Sequence, residues 1–118
     1  MIVALSGRNR LAARNDIDEV FKLGKAARGS FLLVKYVLKG AGAVKVAVMV
    51  PMSVAKSSVD RNRIKRTMLE AVRVQIGSMQ EGCRIVLVAQ KGILSEDRDA
   101  IAREIVFLIK KANLNNHE

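Results

Sequence analysis

Apolar residues recur along this chain at two spacings. In SFLLVKYVL (30–38) and VKVAVMV (44–50) they form dense β-branched runs, separated by the turn-forming KGAGA. Both runs are expected as strands, paired as an antiparallel hairpin, with Pro51 ending the second because it lacks a ladder N–H. CRIVLVA (83–89), preceded by Gly82, predicts a third strand. Elsewhere the spacing is three or four. Ile17, Val20 and Phe21 predict the inner face of a short helix, capped by Asn15 or Asp16 and stopped at Gly24. Asp18 and Glu19 suit the positive end of its dipole. Ile64, Met68, Ala71 and Val72 mark a longer helix over 58–76, with Ser57 or Ser58 as its cap. Ile101, Ile105, Leu108, Ile109 and Ala112 mark a last helix, with Ser95 as its cap. The order is α-β-β-α-β-α. Helices with one apolar face each must pack on the small sheet, which predicts an α+β fold, an α-β sandwich. At 118 residues the chain is expected to make a single domain spanning 1–118, with residues 1–13 as an irregular basic arm.

Charge narrows the function. Twenty-one Lys and Arg against 11 Asp and Glu leave a formal charge of +10, which strains a compact state unless a polyanion is its partner. Nucleic acid is the first candidate and an acidic membrane surface the second. Three Phe, one Tyr and no Trp argue against recognition mainly by base stacking. Cys83 is the only cysteine, so no intrachain disulfide forms, in keeping with a reducing compartment. The opening MIVAL is too short for a signal-peptide core, and no apolar run reaches membrane-spanning length. A cytoplasmic protein is expected, with no membrane association.

Catalytic chemistry is not legible. His117, the single histidine, stands at the C-terminal end with no Cys or His neighbours to complete a metal-ligand set. No nucleophile–base–acid arrangement can be assembled. Asp97, Asp99 and Glu104 suit the N-terminal half of the last helix better than two-metal chemistry. GAG at 40–42 reads as a turn, not a phosphate loop. No catalytic and no metal-binding residue is assigned.

The informative stretch is VDRNRIKRTMLEAVR, residues 59–73. At about 100° per residue, Ile64, Met68, Ala71 and Val72 share one arc, while Asn62, Arg66 and Arg73 share another, with Lys65 between them. Arg61 lies in the first turn near the apolar arc, and Arg63 lies on the side of Glu70. Cations at a helix N-terminus oppose the macrodipole, each at a cost of a few tenths of a kcal/mol. An anion docking there removes that cost. Arg forks and Asn amides bind phosphate oxygens, 2′-hydroxyls and base edges.

RNRIKR followed by EAVR resembles the RNR-x-KR signature of the protein subunit of bacterial ribonuclease P. NRLAARNDIDEVFKLGK is similar to the first helix of that family, VKVAVMV to its core strand, and EGCRIVLVA to its late strand. Together they cover about residues 10–112 in consistent order. The resemblance implies an α-β sandwich with a left-handed βαβ crossover, a feature that general packing rules would not give. It implies an accessory subunit of an endoribonuclease whose catalytic centre lies in the RNA. Ribonuclease P RNA and precursor tRNA would be the partners, with no obligate protein partner. Mg²⁺ would be bound mainly by the RNA, and removal of the 5′ leader assisted by the protein. By position, Arg61, Asn62, Arg63, Lys65, Arg66 and Arg73 match RNA-contacting residues of the family. Phe21 and Ile17, with Lys35 or Tyr36, match its leader-binding cleft. Five positions depart from the pattern: Ile17 replaces a Phe, Met52 and Ser53 a Lys-Lys pair, Leu69 an Arg, and Val72 a Phe. The alternative is a general RNA-binding protein, ribosomal or nucleoid-like, without a role in tRNA processing.

Overall fold

The computed structural model describes residues 7–115. The chain forms α1 (Arg14–Leu23), β1 (Lys25–Arg28), β2 (Leu32–Leu38), β3 (Lys45–Met49), α2 (Ser58–Arg73), β4 (Cys83–Ala89) and α3 (Arg98–Lys111), with short 3₁₀ turns between several of them. The four strands make one mixed sheet in the order β1-β2-β4-β3. The α+β sandwich expected from the sequence is present. His117 and the first six residues of the N-terminal arm lie outside the described residues.

The expected pairing of the second and third strands as a hairpin is corrected. β4 lies between them, antiparallel to β2 and parallel to β3. Only Arg84 of β4 escapes full burial, and a strand apolar on both faces belongs in the middle of a sheet. Lys39–Val44 therefore bridges two strand spacings, roughly 10 Å, across the start of β4. Gly82 lies beneath this bridge. Its N–H donates to Gly42 O at 2.8 Å and its carbonyl accepts from Lys39 N at 2.9 Å. Its φ is +73°, and a Cβ there would stand 2.6 Å from Ala41 N, so glycine is required.

The true hairpin partner of β2 is β1, which pairs in register Lys25↔Tyr36 through Arg28↔Leu33. Its sequence, KAAR, carries no β-branched residue, and pairing with β2 overrides that weak propensity.

Caps are corrected at two of the three helices. Ala13 occupies the N-cap of α1 without a side-chain bond, while Asp16 lies in the first turn and reaches Arg84 at 3.4 Å. Asp97 caps α3, its Oδ1 accepting from Ala100 N at 2.8 Å. Ser95 instead donates from Oγ to Gly92 O within the preceding turn. Ser57 caps α2 as expected, Oγ accepting from Val59 N and Asp60 N. That helix ends at Arg73 rather than Ile76, the chain continuing into a 3₁₀ turn at Ile76–Ser78. α1 stops at Gly24, which turns extended after the last helical bond and must be glycine, because a Cβ there would stand 2.2 Å from Val20 O.

α2 and α3 cover one face of the sheet. Ile64, Met68, Val72, Ile101, Ile105 and Leu108 pack there against Leu32, Val34, Ile85 and Leu87. α1 covers the other face, with Val20 and Leu11 on Val86 and Val88. The described part of the arm is docked rather than loose. Leu11 is buried and its N–H donates to Val46 O at 2.9 Å, and Asn9 Nδ2 donates to Val44 O at 2.8 Å. The arm thus covers the outer edge of β3, which would otherwise expose unpaired backbone groups. Among the described residues no helix is long and apolar enough to cross a membrane.

Candidate nucleic-acid interface

The stripe Ile64–Met68–Val72 is fully buried and so fixes the rotation of α2 about its axis. Asn62, Arg66 and Arg73 then fall within about 40° of one another on the side turned from the core, and all three are exposed. No carboxylate lies within salt-bridge distance of Arg66 or Arg73 among the described residues. Both guanidinium forks are available to an anion.

The other three candidates of this helix play different parts. Lys65 is exposed at the rim of a groove. Arg63 points along the helix toward Asp60, Nη2 to Oδ1 at 4.0 Å. Arg61 turns back: its Nη1 donates to Ala55 O at 3.0 Å and Lys56 O at 2.7 Å. It therefore ties the loop after β3 to the first turn of α2, leaving only its remaining donors for a ligand.

That groove, about 420 Å³, lies between the arm, α1, β3 and α2. Its lining is mostly apolar and includes Leu11, Ile17, Val48, Met49 and Leu69, with Arg10 and Lys65 as cations. The sequence pattern assigns Leu69 to the cationic flank; in the fold it packs against the core and forms a groove wall. Ile17 lies in the groove wall, and Phe21 follows it one turn later on α1. Phe21 is 39% exposed and borders a second depression with Asp18 and Lys22.

Lys35 and Tyr36 are separated by the sheet. Adjacent strand residues point to opposite faces: Lys35 lies between Leu33 and Val37, which pack beneath α1, whereas Tyr36 packs against the α2–α3 core. The structure therefore places Lys35, not Tyr36, on the sheet face that α1 covers. The sequence reasoning missed the arm residues Arg10 to Ala12 and the β3 positions Ala47 and Met49 as groove components. Alternation of Lys45, Ala47 and Met49 with Val46 and Val48 signals a second covered face of β3, but nothing local says what covers it.

Two ion pairs hold α1 over the sheet. Asp16 pairs with Arg84, and Glu19 pairs with Lys39. The hydrogen bond from Lys39 holds the Glu19 carboxyl below its ordinary value of 4.5, against opposing desolvation, with help from the charges of Lys39 and Arg84. The same pairing keeps these carboxylates from repelling an anion nearby. Burial pushes the Cys83 thiol up to about 12, so this residue packs and does not act as a nucleophile at neutral pH. Among the described residues no group of three or more His, Cys, Asp or Glu could hold a metal ion.

Fold and surface together define an α+β sandwich that presents a cationic helix beside an apolar groove, the design of a polyanion-binding module. The Ribonuclease P family model matches residues 5–113. The ribonuclease P protein component of Clostridium perfringens is 34% identical over 116 residues, covering 92% of this chain and 91% of that protein. That of Alkaliphilus oremlandii is 30% identical over 108 residues, covering 92% and 94%. The chain belongs to the ribonuclease P protein family. The fold is that of the RNase P protein of Staphylococcus aureus, with a TM-score of 0.82, 19% identity and coverage of 91% and 97%. The protein from Thermotoga maritima gives 0.78, 24%, and coverage of 88% and 97%.

Proposed function

We propose that this protein is the accessory subunit of a ribonuclease P in which RNA carries the catalytic centre, acting in the cytoplasm. Its basic helix α2, Ser58–Arg73, binds that RNA. The observation that carries this reading is the Asn62–Arg66–Arg73 stripe, held outward by a buried stripe on the same helix. Guanidinium forks there would meet phosphate oxygens, and the Asn62 amide a 2′-hydroxyl or base edge. The groove beside it, walled by Ile17, would hold the single-stranded 5′ leader of precursor tRNA, with Phe21 and Lys35 on the same side of the sheet extending the site. Its apolar floor suits ribose and base faces, and Lys65 at the rim suits the backbone. Mg²⁺, when bound, belongs to the RNA and supplies the hydrolytic chemistry. The protein's own residues bind and orient the two RNAs and lower the electrostatic repulsion between them.

The test is cleavage of a precursor tRNA by a bacterial ribonuclease P RNA at low Mg²⁺, with and without the protein. Cleavage at the mature 5′ end is expected only when both RNA subunit and protein are present. Binding without rescue would overturn the leader-groove assignment. Neither binding nor rescue would overturn the subunit reading and favour a general RNA-binding role.

A further inference from the structure

A second surface of the molecule has the composition of a nucleic-acid site and belongs to neither the α2 stripe nor the groove beside it. α3 and the β1–β2 turn enclose an open groove of about 550 Å³ at the opposite edge of the sheet. The two edge strands, β1 and β3, stand three strand spacings apart, about 14 Å, so both surfaces can be occupied at once. Ala100, Arg103, Glu104, Phe107 and Lys111 line the groove from a single face of α3, as their spacing of three and four requires.

Phe107 is 52% exposed on this face, while Phe31, at the turn, is buried. Lys111 Nζ stands 5.7 Å from the Phe107 ring centroid and also donates to Arg28 O at 3.0 Å. Arg103 has no carboxylate within salt-bridge distance among the described residues, and Lys110 flanks the same face, exposed. The one acid in the groove is committed elsewhere. Glu104 accepts from Ser30 N at 2.9 Å and Phe31 N at 2.8 Å, so both its oxygens are turned onto the backbone of the turn. An exposed ring with Lys111 over it, Arg103 in the same groove and Lys110 at its flank, beside a carboxylate turned onto the backbone, complements an unpaired base with its adjoining phosphates.

We propose that the α3 groove is a second single-stranded RNA site, in which a base stacks on Phe107 while Arg103, Lys110 and Lys111 hold the flanking phosphates. The protein would then touch RNA on two opposed faces. Engagement at this site does not depend on the identity of the RNA bound by α2.

The test is an NMR titration of the full-length, ¹⁵N-labelled protein with an unstructured oligoadenylate octamer. The amides of Ser30, Phe31 and Phe107 should shift and saturate as a group, separately from those of Asn62 and Arg66. Phe107→Ala should weaken binding at the α3 group by about five- to one-hundredfold, leave the α2 group unchanged, and preserve the unperturbed part of the spectrum. Phe107→Tyr should restore most of the affinity. Arg103→Ala should lower the salt slope at this group by about 0.7. Shifts confined to α2 and its groove would overturn the proposal while leaving the proposed function standing. Equal or tighter binding of an oligoglutamate octamer at the α3 group would also overturn it, marking the groove as a site for an acidic protein. Concentration-dependent shifts there without RNA would overturn it in favour of self-association. Shifts at α3 without any at Asn62 and Arg66 would support this site and count against the α2 interface.

Discussion

Replacing Arg66 and Arg73 together with Ala tests the division of α2 into a core face and an RNA face. Both side chains are exposed and lack carboxylate partners among the described residues, and they lie about 20° apart around the helix. The buried residues Ile64, Met68 and Val72 are untouched. Each guanidinium that neutralises a phosphate contributes about 0.7 to 0.9 to the slope of log K against log salt. The double variant should therefore lose about 1.4 to 1.8 units of slope on a bacterial ribonuclease P RNA. Over a fourfold change in salt that amounts to about a tenfold smaller loss of affinity than for the parent protein. Surface changes of this kind cost within about 0.5 kcal/mol of folding stability, so the thermal midpoint should move by no more than a few degrees. Fluorescence anisotropy across a potassium chloride series, with calorimetry on the same samples, measures both quantities. An unchanged slope, or a variant that unfolds, refutes the assignment of faces.

Three further outcomes follow from the fold. Gly82→Ala should cost at least about 1–2 kcal/mol from the left-handed backbone alone, and more from the 2.6 Å approach to Ala41 N; a urea midpoint unchanged from the parent would contradict the described bridge. Glu104→Ala removes the acceptor for Ser30 N and Phe31 N and should destabilise the fold by about 1–3 kcal/mol, with faster hydrogen exchange at those two amides as the local readout. Cys83 titrates at about 12 in the folded chain against an ordinary value of 9.0. The unfolded thiol therefore loses its proton first, and stability falls as pH rises above 9 toward 12. The stability advantage of the parent over Cys83→Ala should narrow by up to about 1.4 kcal/mol per pH unit in that window, read by urea denaturation at about pH 8, 9.5 and 10.5. A constant difference would mean that the thiol is not shielded.

Acid should act on the anchoring of α1. Glu19 is held below its ordinary value by Lys39, so the contribution of this pair is complete above about 4.5 and is lost as pH falls through the folded value. Lys39→Met should flatten the acid limb of the stability profile relative to the parent, in denaturation followed from about pH 6 to pH 3.

Residue spacing alone dictates those parts of the protein in which a local period decides the outcome. The buried stripes of α2 and α3 follow from spacings of three and four, and β4 follows from a continuous apolar run bounded by Gly82. The outward residues Asn62, Arg66 and Arg73 were legible for the same reason, since fixing the core face of a helix fixes its opposite face. Tertiary structure decided the rest. β1 has no signature of its own because its stability comes from β2, and the apparent β2–β3 hairpin was opened by insertion of β4, a partner more than thirty residues away. Lys35 and Tyr36 were indistinguishable until the two sheet faces acquired different covers. Arg61 lies near the apolar arc by spacing alone, but only the packed structure brings the loop carbonyls of Ala55 and Lys56 within its reach. Periodicity records which side of an element avoids water. Only the packed chain fixes what lies against that side, because contacts between distant segments are set by shape and topology rather than by the residues next in line.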